Sequence, residues 1–167
     1  MKILFVSLGC DKNLVDTEVM LGLLAEKGYT FTDDEEQADI VVVNTCCFIG
    51  DAKEESIQNI LSMAKRKESG QLKALIVSGC LAQRYQEEIL KEIPEVDAIL
   101  GTTAIDEIVD TVEKVLEKKP ENHIEDINKA VVHGKNRIVT TGGHFAYLKI
   151  AEGCNKHCTY CIIPKVR

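Results

Sequence analysis

Residues 39–44 read DIVVVN, with four β-branched apolar residues in succession. A strand that is apolar on both faces has to be covered on both faces. That is the habit of parallel sheets sandwiched between helices, not of antiparallel sheets with one wet side. Lys2–Ser7 (KILFVS) and Ala74–Ser78 (ALIVS) are runs of the same kind, and Tyr29–Thr32 and Val96–Leu100 are shorter ones. Helical periodicities fill the gaps. Leu14, Thr17, Leu21 and Leu24 share one face that Gly28 ends, and Ile57, Ile60, Leu61 and Ala64 share another behind an Asp51-x-x-Glu54 capping box. A third helix is expected through Tyr85 and Ile89, closed by Pro94, and a fourth, capped by Thr102 or Thr103, carries Ile105, Ile108, Val109, Val112 and Leu116. This alternation predicts a doubly wound α/β fold. Right-handed crossovers then favour the flavodoxin-like strand order 2-1-3-4-5.

The pattern stops near Lys118, so residues 1–118 are expected to form one domain and 119–136, a charged and mixed stretch, a linker. Beyond it, residues 137–167 read as the start of a second unit, with Arg137–Thr141 and His144–Ile150 flanking Gly142-Gly143 as a possible hairpin. A chain of 167 residues is long enough for one domain with a proper core and a little more. Its 45% apolar and 28% charged content is that of a globular protein, and no apolar run approaches the ~20 residues needed to cross a bilayer. The opening MKILFVSLGC is too short in its apolar part for a leader and has Ser7 where a lipoprotein signal wants a bulky aliphatic. The expectation is a cytoplasmic protein with a buried first strand and no membrane partner. A net charge of −7, with 27 acids against 20 bases, argues against a nucleic-acid-binding surface on this chain.

Seven cysteines is an odd number, and three of them are tightly spaced, so metal or redox chemistry fits better than a disulfide framework. Cys10, Cys46 and Cys80 each follow an expected strand: the first, third and fourth. Those strands are neighbours in the proposed order, so the three thiols should converge at the carboxyl rim of the sheet, where such folds bind ligands. Free cysteine is often simply buried, but a core role gives no reason to prefer strand ends. Gly9 and Gly79 precede two of the three and let the backbone approach a bulky ligand; the helix N-termini that follow favour thiolates. A three-thiolate metal site is the expectation. Cys46 and Cys47 are adjacent on an extended segment and point opposite ways, so Cys46 is taken as the ligand and Cys47 as a packed residue.

Near the end stands GCNKHCTYCIIP, in which Cys154, Cys158 and Cys161 have the spacing C-x3-C-x2-C. Zinc in a Cys3His site with His157 is one reading. The other is an iron–sulfur cluster on three cysteines, which leaves one iron free to hold a small molecule.

With Tyr160 before its third cysteine, the motif resembles the CxxxCxΦC signature of radical S-adenosylmethionine enzymes. SLGCDKNLVDTE, VVNTCCFIGDAKEESI, VSGCLAQRY, VDAILGT and YLKIAEGCNKHCTYCIIP, in that order, resemble the methylthiotransferases, and Asp11-Lys12 after the first cysteine resembles their RimO branch. The resemblance implies an enzyme that adds a methylthio group to the β-carbon of an aspartate in a small-subunit ribosomal protein (S-twelve). It implies two 4Fe–4S clusters, an auxiliary one on Cys10, Cys46 and Cys80 and a radical one on Cys154, Cys158 and Cys161. It further implies S-adenosylmethionine as cofactor, with Tyr160 at its site, and an electron donor as partner. HFAYLKI would open the barrel of the radical domain, and the chain would be an amino-terminal fragment, inactive alone. The alternatives are the MiaB-like branch, acting on an adenosine of transfer RNA, and a non-catalytic flavodoxin-like module binding zinc or iron–sulfur. A receiver module fits poorly, since Asp11 has no acidic companion and the third strand ends in cysteines.

Overall fold

The computed structural model describes residues 1–119, 122–129 and 136–167. Five strands, β1 (Lys2–Ser7), β2 (Thr30–Phe31), β3 (Ile40–Thr45), β4 (Ala74–Gly79) and β5 (Ala98–Leu100), pair in parallel in the order β2-β1-β3-β4-β5. This is the order expected from the sequence. β3 and β4 are buried at every position, as continuous apolar runs in the middle of a covered parallel sheet should be. The register brings three strand ends to one level. Ser7 lies opposite Asn44, Asn44 opposite Ser78, and Thr45 opposite Gly79, so β1, β3 and β4 finish nearly together at the carboxyl rim.

Side chains alternate across each strand and so supply two cores. Val41, Val43, Leu75, Val77 and Ile99 meet Ile60 and Met63 of helix α2 (Gly50–Glu68), with Leu81 and Ile89 of the short helices α3 (Cys80–Arg84) and α4 (Gln86–Glu92). On the other face Ile3, Ile40, Val42, Ile76 and Leu100 meet Met20 and Leu24 of α1 (Asp11–Glu26) and Ile108 and Val112 of α5 (Ile108–Leu116). Each large aliphatic side chain buried in this way stabilises the fold by roughly 1.5–3 kcal/mol. Among the described residues no helix is long and apolar enough to cross a membrane.

Several local expectations are corrected. α2 begins at Gly50 with Ile49 as its cap and no side-chain capping bond, so the Asp51–Glu54 box does not form. Asp51 sits inside the first turn instead, where a carboxylate is favoured by the helix dipole. Thr102 and Thr103 do not cap α5. Their hydroxyls donate to the carbonyls of Val166 (2.8 Å) and Asp126 (3.3 Å), and a 3-10 turn, Ile105–Glu107, precedes the helix. The helix expected through Tyr85 and Ile89 is broken at Tyr85 into α3 and α4.

Within the expected linker, residues 122–123 hydrogen-bond along the edge of β5. The His123 N–H donates to the Ile99 carbonyl (2.9 Å), the Gly101 N–H donates to the His123 carbonyl (2.8 Å), and Asn122 Oδ1 accepts from the Ile99 N–H (2.9 Å). The chain thereby covers the open edge of β5, a position where unpaired backbone groups would otherwise face solvent. Residues 120–121 and 130–135 of that linker lie outside the described residues.

The hairpin and the first barrel strand, expected over 137–150, are absent: residues 136–150 contain no strand. A strand needs a neighbour to receive its backbone groups, and here those groups go to α1. The Ile138 N–H donates to the Glu18 carbonyl (3.0 Å) and the Thr140 N–H to Glu18 Oε1 (2.6 Å). A single helical turn, α6 (Ile163–Val166), follows near the end of the chain.

Candidate metal centre

β1, β3 and β4 each end in a turn that carries a cysteine, and two of those turns require glycine. Gly9 has φ +88°, and a Cβ there would stand 2.5 Å from Cys46 Cβ and 2.9 Å from Cys46 Sγ. The absent side chain is thus what lets Cys46 reach the rim. Gly79 has φ +91°, and a Cβ there would meet the Thr45 carbonyl oxygen at 2.5 Å. Cys10 then caps α1 in extended conformation, and Cys80 is the first residue of α3. The Cys46 N–H donates to the Ser56 hydroxyl (3.0 Å) on α2, which holds the chain after β3 against that helix. α2 itself starts four residues after Cys46, so the helix N-terminus expected directly behind each cysteine adjoins only Cys10 and Cys80.

Cys10, Cys46 and Cys80 line one cavity of about 620 Å³, together with Gly9, Phe48, Ile49 and Ala52 from the sheet side. Cys47 does not line it. Cys47 is buried in the core on the α2 side, with Sγ 3.3 Å from the Cys80 carbonyl oxygen. Burial pushes the Cys47 thiol above its ordinary pKa, although the Arg84 guanidinium works the other way. The Cys80 thiol is pushed up to about 11, chiefly by burial and against the pull of the Arg167 guanidinium.

Beneath the cavity lies a buried polar network that sequence reasoning missed. Asn13 is fully buried. Its Nδ2 donates to the carbonyls of Leu8 (2.8 Å) and Thr45 (2.9 Å), tying the end of β1 to the end of β3. Asn44 Nδ2 donates in turn to the Asn13 carbonyl (2.8 Å) and lies 3.0 Å from Thr17 Oγ1. The available signal was a polar residue, Asn13, on the inward side of a helix that opens directly behind Cys10.

The other wall of the cavity comes from the end of the chain: Gly153, Cys154, Ile163, Val166 and Arg167. Charge holds it there. Arg167 is 1% exposed; it pairs with Asp16 (2.6 Å) and Glu152 (3.3 Å) and donates to Asn13 Oδ1 (2.6 Å). Lys149 pairs with the same two acids, at 2.5 Å each. Lys12 Nζ donates to the Glu152 carbonyl at 2.8 Å. Two bases and two acids thus form a closed clasp between α1 and the terminal segment. Burial opposes the charge of Arg167, but Asp16 and Cys80 outweigh it and hold the guanidinium's pKa above its ordinary value. A second ion pair joins Arg137 to the buried Glu18. Burial acts to raise the Glu18 carboxyl, yet the backbone N–H and hydroxyl of Thr140 and the Arg137 guanidinium together hold it below the ordinary carboxylate range.

The terminal cysteines are divided. Cys154 belongs to the cavity of the strand-end thiols, whereas Cys158 and Cys161 line a neighbouring hollow of about 540 Å³ with His157, Tyr160 and Arg84. The Cys161 N–H donates to the Cys158 carbonyl (3.0 Å), forming a tight turn, and Tyr160 is 90% exposed at its tip.

The thiol arrangement also bears on the kind of metal group that fits. Three thiolates on one zinc ion, with Zn–S near 2.3 Å, would have sulfurs about 3.8 Å apart. Among the described residues only Glu107, Asp110 and His123 bring three potential ligand atoms within 4.8 Å of one another, and there Lys114 already pairs with Asp110 at 2.8 Å. The strand-end thiols are spread more widely, around a cavity with a largely apolar wall. Among the described residues these thiols do not form a site for a single ion.

Known proteins support a relationship over the whole chain. A family model described as "Uncharacterized protein family UPF0004" matches residues 2–101. A protein of Lachnoclostridium phytofermentans named "Ribosomal protein uS12 methylthiotransferase RimO" is 63% identical over 167 residues, covering 100% of this chain and 38% of the relative. Proteins of the same name from Desulforamulus reducens and Clostridioides difficile are 52% identical over 163 residues and 50% identical over 171 residues. These alignments cover 97% and 100% of this chain and 37% and 38% of the relatives. The chain therefore spans less than two fifths of the length of the curated relatives it matches.

Proposed function

The chain belongs to the UPF0004 family, and on that footing we propose that it serves the reaction for which its curated relatives are named, methylthiolation of a small-subunit ribosomal protein, at an aspartate side chain. Cys10, Cys46 and Cys80 would hold one 4Fe–4S cluster. Cys154, Cys158 and Cys161 would hold a second, with Tyr160 beside bound S-adenosylmethionine. When bound, these groups supply the sulfur, methyl and radical chemistry that no side chain provides. An electron donor and the ribosomal protein are the partners this chemistry requires. In this reading residues 1–118 are the auxiliary-cluster domain, 119–136 connect it, and 137–167 lead into the radical domain.

The observation that carries the reading is that three cysteines from three separate strand ends line one cavity. The chain's own residues have definite tasks around it. Gly9 and Gly79 clear the space, and Asn13 fixes the strand ends. Phe48, Ile49 and Ala52 make one wall apolar. The clasp of Asp16, Lys149, Glu152 and Arg167 sets the terminal segment against the rim. Such a site has no general base to position, and its work is ligation, orientation and shielding.

Anaerobic reconstitution of the chain with iron and sulfide tests the ligand assignment. Cys46→Ala should remove the brown absorbance and the bound iron of the auxiliary site, while Cys47→Ala should keep most of both. Equal loss in the two variants would sink the assignment.

A further inference from the structure

We propose that Arg167 is the cationic partner of the cluster on Cys10, Cys46 and Cys80: its guanidinium donates to the sulfur at Cys80 and raises the cluster's reduction potential. The inference rests on the proposed function and adds a positioning residue to its strand-end site.

The guanidinium and the thiol share a neighbour. Arg167 Nη2 donates to Asn13 Oδ1 at 2.6 Å, and Cys80 Sγ lies 4.0 Å from the same oxygen. The two side chains thus converge on one buried amide, and both line the thiol cavity. One donor of the guanidinium is left over. Nη2 serves Asn13 and Asp16, and Nη1 serves Glu152. Nε is buried and has no hydrogen-bond partner among the described residues. In a side chain only 1% exposed, an unspent N–H costs free energy until something accepts it. The sulfurs of a cluster are acceptors, and hydrogen bonds to them are among the factors that set its potential.

The charge has a direction too. The clasp is neutral as a whole, but Arg167 is part of the cavity lining and its partners Asp16 and Glu152 are not. The thiols therefore face its cationic side. Asp11 and Lys12 also line the cavity, but they are of opposite sign, and Asp11 is exposed and Lys12 half-buried, so water screens them more than it screens Arg167. A 4Fe–4S cluster on three thiolates is anionic. It gains one more negative charge when an external reductant supplies an electron; no bond forms and no proton moves. A desolvated cation at its side favours the reduced form, and does so more strongly than it would in water.

The test uses the 167-residue chain in a Cys158→Ala/Cys161→Ala background, reconstituted anaerobically with iron and sulfide so that only the strand-end site is loaded. With arginine labelled with nitrogen-15, pulsed EPR of the reduced cluster should show a coupled arginine nitrogen that Arg167→Lys removes. No such coupling in the labelled background protein overturns the proposal and leaves the proposed function standing. Persistence of the coupling in Arg167→Lys overturns it as well. Should that variant hold no cluster, Arg84→Lys decides: the coupling survives if Arg167 is its source, and its loss overturns the assignment. In a redox titration, Arg167→Gln should lower the equilibrium constant for one-electron reduction about tenfold, about 59 mV. Lys149→Gln removes the other cation of the clasp, which is not in the cavity lining, and should shift the potential far less. Equal shifts in the two variants would report only a loosened terminal wall and would overturn the proposal. Failure of the unsubstituted chain to bind any cluster overturns the proposed function and this inference together.

Discussion

The cavity has two walls built on different physics. The wall at the rim of the sheet is positioned by five paired strands, two apolar cores and a buried asparagine. The wall from the end of the chain has no strand and only one short helical turn, and it is positioned by ion pairs with α1. Apolar burial is non-directional and indifferent to pH and salt over ordinary ranges. Charge pairing is local, and it loosens when a partner is neutralised or removed. The terminal wall should therefore be able to fail while the sheet wall stands, and under different provocations.

The largest effect is expected from the sheet. Ile76 is completely buried in the middle of β4. Ile76→Ala should cost about 2–5 kcal/mol from lost transfer energy and the cavity left behind. Chemical denaturation followed by circular dichroism would measure it, and both walls should go together, because the terminal segment has nothing to bind once α1 is loose. Arg167→Ala should do the opposite. It removes one of two cations from Asp16 while Lys149 remains, so a loss of about 1–3 kcal/mol is expected. That loss should appear as protease sensitivity after residue 136, with the midpoint of the sheet domain little changed. If Arg167→Ala lowered the sheet's own midpoint as much as Ile76→Ala does, the division into two independently held walls would be wrong.

Gly9→Ala sharpens the contrast from within the rim. A residue with a Cβ at φ +88° costs roughly 1–2 kcal/mol in backbone strain, and here the Cβ would also strike Cys46. Cys46 has to move or the turn has to open. Iron retention after reconstitution should therefore fall further than the modest drop in melting temperature implies. Full retention of iron in Gly9→Ala would show that Cys46 is less constrained than the close approach of Gly9 requires.

The same division explains what could be read from the sequence. The strand order and the convergence of Cys10, Cys46 and Cys80 at one rim were legible, because β-branched runs such as Ile40–Val43 and the right-handed crossover rule leave little choice of topology. The placement of Cys47 away from the cavity followed from the alternation of an extended chain. The clasp was not legible. Asp16 and Lys149 are 133 residues apart, and no period or spacing announces a pair whose geometry depends on how a non-regular segment crosses a helix. The failed hairpin at 137–150 has the same origin. Gly142-Gly143 between two apolar stretches is a fair local signal, but α1 offers Glu18 as a competing partner, and local pattern gives no weight to a distant carboxylate. Thr102 and Thr103 misled in a similar way, having good capping chemistry but nearer acceptors in Val166 and Asp126.

The smallest expected effect is a pH dependence confined to the terminal wall. Glu18 accepts from the Thr140 N–H at 2.6 Å and the Thr140 hydroxyl at 2.8 Å and is paired with Arg137, and its folded pKa is depressed. For a depressed carboxyl the sign is fixed: the unfolded state takes up protons first as pH falls. The contribution of Glu18 is therefore complete above the unfolded value, about 4.3, and is lost as pH drops through the lower folded value. Other depressed carboxyls, such as Asp39 beside Lys73, titrate in the same window, so global stability would blur the effect. Hydrogen exchange at the Thr140 amide reads it locally, after correction for the intrinsic rate. Its protection should hold between about pH 7 and pH 5 and fall below the carboxylate range, while amides in β3 keep theirs. In Glu18→Gln the side-chain oxygen remains but the charge does not, so protection at Thr140 should be lower at neutral pH and flat as the solution is acidified. An unchanged acid dependence in Glu18→Gln would mean that some other carboxylate holds the segment and that the terminal wall is fastened elsewhere.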